Sequence, residues 1–205
     1  MSTAPASPSA RPRAPGFLAH VLDRTFGRPR GLLGRIGGAV MACGNAGTER
    51  HVVDVAILTS GETVLVVGPG PGVGLMAASQ QAGRVIGVDP SEEMLALCAA
   101  RCPSAELRGG TADRTGQPDE SVDVVLSVNN VQLWDDRAAG FAELRRVLRP
   151  GGRLVLSTHE KSLPVPRHEL AAEVAAAGFT DLQTWTWNPP GPGTTAAELR
   201  AVSPS

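Results

Sequence analysis

The chain of 205 residues contains no tyrosine and a single lysine, Lys161, with only three tryptophans and four phenylalanines. The missing tyrosine excludes any chemistry that needs a catalytic phenol. Almost all basic side chains are arginine, and alanine, glycine and proline are abundant, a composition expected of a GC-rich bacterial genome that says little about function. Cysteine is scarce and odd in number: Cys43, Cys98 and Cys102 cannot form a disulfide framework. The last two stand four apart on an expected helix, outside any metal-ligand spacing, so buried reduced thiols are expected and no metal site. No apolar run approaches the roughly 20 residues needed to cross a bilayer, and the start, MSTAPASPSARPRAPG, lacks the apolar stretch of a signal peptide. A cytoplasmic protein with no membrane partner is expected.

Excess charge of either sign is also absent. Lys+Arg number 19 and Asp+Glu 20, a net charge of -1 that draws neither nucleic acid nor an anionic surface. The first 35 residues differ, since Arg11, Arg13, Arg24, Arg28, Arg30 and Arg35 face only Asp23. They form either a solvated arm or a local cationic surface for an anionic group.

The length suits one domain with a short N-terminal accessory region. Residues 1–15, rich in Pro, Ser, Ala and Arg, read as a disordered arm. Residues 16–60 carry apolar side chains at helical spacing, interrupted at Gly27-Arg28-Pro29, and read as a cap of two or three helices. Residues 61–205 form the main domain. There Thr63–Val67 and Arg84–Val88 read as buried parallel strands, with further strands at Ala105–Arg108, Val122–Val128 and Arg153–Thr158 and a later one at Phe179–Trp187. Helices are expected at Gly72–Gln81, Ser91–Arg101 and Arg137–Leu148, with Ser91 capping the second and Arg149-Pro150-Gly151-Gly152 stopping the third. Ala196–Val202 is ambiguous, because Ala-Ala-Glu-Leu-Arg-Ala also favours helix. This alternation predicts an α/β, Rossmann-like, doubly wound and mostly parallel sheet.

Gly68-Pro69-Gly70-Pro71-Gly72-Val73-Gly74 follows the first strand and opens a helix, where missing side chains let a nucleotide approach backbone N–H groups. Asp89 ends the second strand, about 20 residues on, where a carboxylate accepts bonds from ribose hydroxyls. A dinucleotide fingerprint counted from Gly68 or Gly70 meets Val73 or Leu75 instead of a third small residue. Only the later frame Gly72, Gly74, Ala77 satisfies it, four residues further from the strand.

Five ordered segments then carry a resemblance: Val64 to Gly72, Gly87 to Leu95, Gly110-Thr111-Ala112-Asp113, Ser121 to Val125 and Val147 to Gly152. From about Val64 to Ser157 the chain resembles the class I S-adenosylmethionine-dependent methyltransferases. The resemblance implies their seven-stranded sheet, with a final antiparallel strand and an N-terminal helical cap. It also implies a cofactor site: Gly68, Pro69, Gly70 and Gly72 at the methionine and ribose end, Asp89 with Pro90 at the ribose hydroxyls, Met94 on adenine, and Asp113 with the Ala112 backbone at the adenine amino group. Met94 as plain core and Asp113 as a solvated acid are the structural alternatives. Asn129 and Asn130, after the fourth strand, border both ligands by resemblance, or serve as turn formers. One position departs from the family: Val66 stands where an acid often helps to hold the methionine amino group. In the family the helical region often closes over cofactor and acceptor, and Glu49 or Asn45 there is a candidate to reach that amino group in its place.

Methyl transfer is an in-line displacement, so alignment and exclusion of water matter most, and a base is needed only where the acceptor loses a proton. His159, directly after the fifth strand, is the first candidate base and His51, on the cap, the second, although a lone histidine is more often structural. The expected function is methylation of a small-molecule acceptor, such as a secondary-metabolite intermediate, with no nucleic-acid partner. Two alternatives stand beside it, a cofactor-binding protein with a non-methylating reaction and a nicotinamide-dependent oxidoreductase.

Overall fold

The computed structural model describes residues 31–190 and 194–205, with side chains from residue 44 onward. The expected arm at 1–15, the interruption at Gly27-Arg28-Pro29 and the turn residues Gly191–Gly193 lie outside the described residues. The described part of the cap is one continuous helix, α1 (Gly31–Ala56). The elements after it are β1 (Thr63–Val67), α2 (Val73–Ser79), β2 (Arg84–Asp89), α3 (Glu92–Arg101), β3 (Glu106–Gly109), β4 (Val122–Val128), α4 (Arg137–Val147), β5 (Leu148–His159), α5 (Arg167–Ala176), β6 (Thr180–Trp187) and β7 (Ala196–Val202).

The strands form one seven-stranded sheet in the order β3-β2-β1-β4-β5-β7-β6. All neighbours are parallel except β7, which runs antiparallel to both β5 and β6. Alternate residues feed two cores. Leu65 and Val67 of β1 and Leu154 and Leu156 of β5 pack with Phe141 and Leu144 of α4 and Leu170 of α5. Val64 and Val66, with Val155, pack instead with Val52, Val53 and Ala56 of α1, Leu75 of α2 and Cys98 of α3. Period-two side chains on short β-branched strands thus bury both faces, the pattern of a sheet wound on each side by helices.

One ambiguous segment is resolved, and two others differ from expectation. Ala196–Val202 is a strand despite its helix-favouring composition, because ladders to β5 and β6 pair its backbone on both sides. The glycine-rich stop after α4 lies within β5: α4 ends at Val147, and Leu148 already pairs with Val122 before a register shift. Gly151 donates to the Ser203 carbonyl and Ser203 donates to the Gly152 carbonyl, each at 2.8 Å, so the expected turn is a bulge held by the C-terminal segment. The helix α5 is an element beyond those expected from the sequence.

Ser91 does cap α3, its hydroxyl accepting the Met94 N–H. Arg153 closes the other end of α1, donating to the Ala56 and Ile57 carbonyls and pairing with Glu62. The best single probe of the sheet's α4 side is Phe141, fully buried and edge-on to Trp134 at 5.2 Å. Phe141→Ala should cost ~3–5 kcal/mol, read as a lower urea midpoint at unchanged slope.

Candidate functional site

Strand order reverses between β1 and β4, and there the connections leaving the two carboxyl ends diverge, so an open α/β sheet has its crevice at that point. A cavity of about 390 Å³ occupies it. Its walls include Gly68 and Gly70 after β1, Asp89 and Pro90 after β2, Met94 on α3, Ala112 and Asp113 after β3, and Asn129 and Asn130 after β4. Nine expected site residues therefore meet in one cavity. Pro69 and Gly72 belong to the same loop without lining it.

The glycine turn is held from three sides. Gly68 has φ +62, and a Cβ there would overlap the Asn130 side-chain amide, so only glycine fits. Cys98 donates its thiol hydrogen to the Gly70 carbonyl at 3.1 Å, and Arg101 donates to the Pro71 carbonyl at 2.6 Å. Cys98 is thus more than the plain buried thiol expected, and Arg101 is not among the expected site residues. Their spacing on one face of α3 was the available signal. Burial, with Asp89 and Glu49 nearby, pushes the Cys98 thiol up to about 12, so it acts as a neutral brace.

Asp89 is 6% exposed and accepts the Ser91 N–H at 2.9 Å and a backbone bond from Gly70. Burial outweighs both donors and raises its carboxyl to about 6. A buried carboxylate short of donors, facing a cavity, suits the vicinal hydroxyls of a ribose. Thr111 and Arg114 close a tight turn that presents buried Ala112 and exposed Asp113. Beyond them Trp134 donates to the Asn130 side-chain oxygen at 2.5 Å, and its ring fits against Gly140, where a Cβ would lie 2.7 Å from it. The site thus fits an adenosyl ligand: a polar ribose partner, a glycine cradle, and Met94 with Trp134 as apolar walls.

Asn129 is a turn former and a brace together. At φ +48 it takes the left-handed conformation that asparagine tolerates. Its Oδ1 accepts the His159 backbone N–H at 2.9 Å and its Nδ2 donates to the Asn45 side-chain oxygen at 3.1 Å, tying β4 to β5 and α1. The two candidate bases stand apart from the cavity walls. His159 has a half-buried ring whose pKa is lowered by burial and by Lys161. His51 stacks on Trp187 at 3.9 Å and holds Glu198 through Nε2 at 3.1 Å. Among the described residues, no group of His, Cys, Asp and Glu could hold a metal ion, and no helix is long and apolar enough to cross a membrane.

Glu49 of α1 also lines the cavity, 8% exposed, its Oε2 accepting the Gly74 N–H at 2.5 Å. Burial raises its carboxyl from 4.5 to about 7, against the pull of the Gly74 bond, Arg101 and Arg50. The folded protein holds this proton more tightly than the unfolded chain, so the group's contribution is most favourable at low pH and is lost as pH rises from 4.5 through about 7. Glu49→Gln keeps an acceptor for Gly74 and removes the buried charge. It should melt above the wild type at about pH 8, by the equivalent of ~1–3 kcal/mol, with the curves converging below about pH 5.

Comparison with known proteins agrees with this geometry. Residues 65–156 match the model of a methyltransferase domain family. The uncharacterized methyltransferase YdaC of Bacillus subtilis is 31% identical over 159 residues, covering 72% of this chain and 87% of that protein. A probable S-adenosylmethionine-dependent methyltransferase of Mycolicibacterium smegmatis is 41% identical over 130 residues, 60% of this chain but only 50% of the relative. In fold, the chain is similar to a phosphoethanolamine N-methyltransferase of Haemonchus contortus solved with S-adenosyl-L-methionine, at TM-score 0.74 and 16% identity over 91% of this chain and 60% of that one. With the seven-stranded sheet, the glycine turn and the buried Asp89 carboxylate gathered at the crevice, the chain belongs to the class I S-adenosylmethionine-dependent methyltransferases.

Proposed function

We propose that the methyl acceptor is a small molecule, and that the protein works in the cytoplasm on a biosynthetic intermediate of the secondary-metabolite kind. The observation that carries this is the cavity itself, about 390 Å³, with α1 laid beside it and Asn45, Asn129, Leu133 and Trp134 on its walls. That volume accommodates a nucleoside cofactor and little more, so the acceptor presents a small reactive group. The relative from Haemonchus contortus, which also binds phosphomonomethylethanolamine in a solved complex, gives the same scale of acceptor. A charge balance of -1 supports a partner other than nucleic acid.

The bound cofactor supplies an electrophilic methyl group on sulfur. Asp89 holds the ribose, the Gly68–Gly72 turn lets the ligand approach the backbone, and Met94 and Trp134 exclude water from the nucleoside. Alignment and a dry wall are what this chain contributes to an in-line displacement. His51 and His159 stay candidates for a base. Neither lines the cavity, and only His159 is tied to its wall, its backbone N–H donating to Asn129 Oδ1.

Calorimetric titration should show saturable binding of S-adenosylmethionine and S-adenosylhomocysteine but not of NAD, and Asp89→Ala should weaken the first two about 10- to 100-fold. Protein incubated with methyl-labelled cofactor and a fractionated extract should pass label to the small-molecule ultrafiltrate, and Asp89→Ala should abolish the transfer. Label confined to the macromolecular fraction would sink the small-acceptor assignment. Unchanged kcat in His51→Ala and His159→Ala would remove both histidines as bases.

A further inference from the structure

S-adenosylmethionine is cationic at its methionine end, where the sulfonium and the α-ammonium lie a few bonds apart. A cavity that accepts it needs an anion there that backbone donors have not already satisfied. Asp89 stands at the ribose end and is engaged by Ser91 and Gly70. Asp113 sits in the turn after β3, and Asp135 follows Trp134, whose ring shares the Gly140 surface with Ala112. Those acids, with Glu92 and Glu93 in the first turn of α3 beside Met94, are assigned to the nucleoside side. The strand under the glycine turn offers no charge, because Val66 is 5% exposed and packs in the apolar core beneath α1.

The helix α1 brings a carboxylate to this end from the opposite direction. Glu49 lies over the start of α2, where Oε2 accepts the Gly74 N–H. Among the described residues no hydrogen bond reaches Oε1, and the side chain lines the cavity. Asn45, one turn earlier, has its side-chain oxygen taken by Asn129 Nδ2. Among the described residues no lysine, arginine or histidine lines the cavity to compete for Oε1.

We propose that Glu49 is the anionic clamp for the α-ammonium of the cofactor, so that a charge ordinarily placed on the sheet comes here from the helix that covers it. The proposal rests on the methyltransferase reading of the cavity. Glu49 faces Arg50 on its own helix, Arg101 and Cys98 on α3, and Asp89 beyond them. With a carboxyl raised to about 7, the clamp is half charged near neutrality and fully charged once a cation stabilises it. Cofactor affinity is therefore coupled to the proton on Glu49.

The test is calorimetric titration of the wild type and Glu49→Gln with S-adenosylmethionine, S-adenosylhomocysteine and 5′-methylthioadenosine, which lacks the amino-acid part. Glu49→Gln should weaken the first two about 10- to 100-fold and leave the third unchanged. Between about pH 7.5 and about pH 6 the wild type should lose affinity for the first two several-fold more steeply than the variant, whose remaining pH dependence comes from Asp89. Equal affinities in both proteins, or parallel loss of all three ligands, would overturn the clamp. Failure of the wild type to bind either full-length ligand would overturn the reading of the cavity and the clamp with it.

Discussion

The geometry of this protein hangs on how the backbone turns between β1 and α2. At Gly68 the chain turns into positive φ against Asn130, so the loops after β1 and β4 touch where their strands part. The loop carbonyls at Gly70 and Pro71 are taken by Cys98 and Arg101 of α3, while the Gly70 backbone also serves Asp89. One turn thus couples the first strand, the Asp89 carboxylate, the third helix and the post-β4 loop. A side chain at Gly68 would displace Asn130 and, through it, the indole of Trp134.

The helix α1 sets the chemistry of the other wall. Its last turns bury Val52, Val53 and Ala56 against the sheet, and Arg153 fastens its end. One and two turns earlier it carries Glu49 and Asn45 to the cavity. Burying Glu49 works against folding at neutral pH, since desolvation outweighs its backbone bond and nearby arginines. That is the kind of local cost found where a site is prepared for a charged ligand.

Much was legible from residue patterns because the governing interactions are local. Period-two runs such as Val64–Val67 and Val122–Val128 mark strands buried on both faces, and Ser91 before Glu92 and Glu93 marks a helix start. The order of glycine turn, Asp89 and Ala112-Asp113 placed each group just past a strand, and the cavity gathers them. Less legible was any segment whose state is decided by a distant partner. Ala196–Val202 is helix-favouring in isolation and a strand between two strands. Pro150-Gly151-Gly152 is a turn by composition and a bulge because Ser203 pairs with it.

The sequence by itself determined the α/β class, the family and most of the residues that gather at the cavity past the strand ends, since strand periodicity and the spacing of glycines and acids operate within some tens of residues. Only the tertiary structure decided what each side chain faces. Asn129 braces α1 and β5 through partners 84 and 30 residues away, and Glu49 meets Gly74 across 25 residues. His51 is turned to Glu198, 147 residues distant, and stacked on Trp187. Such pairings come from packing a long helix across a completed sheet, and no local pattern along the chain encodes them.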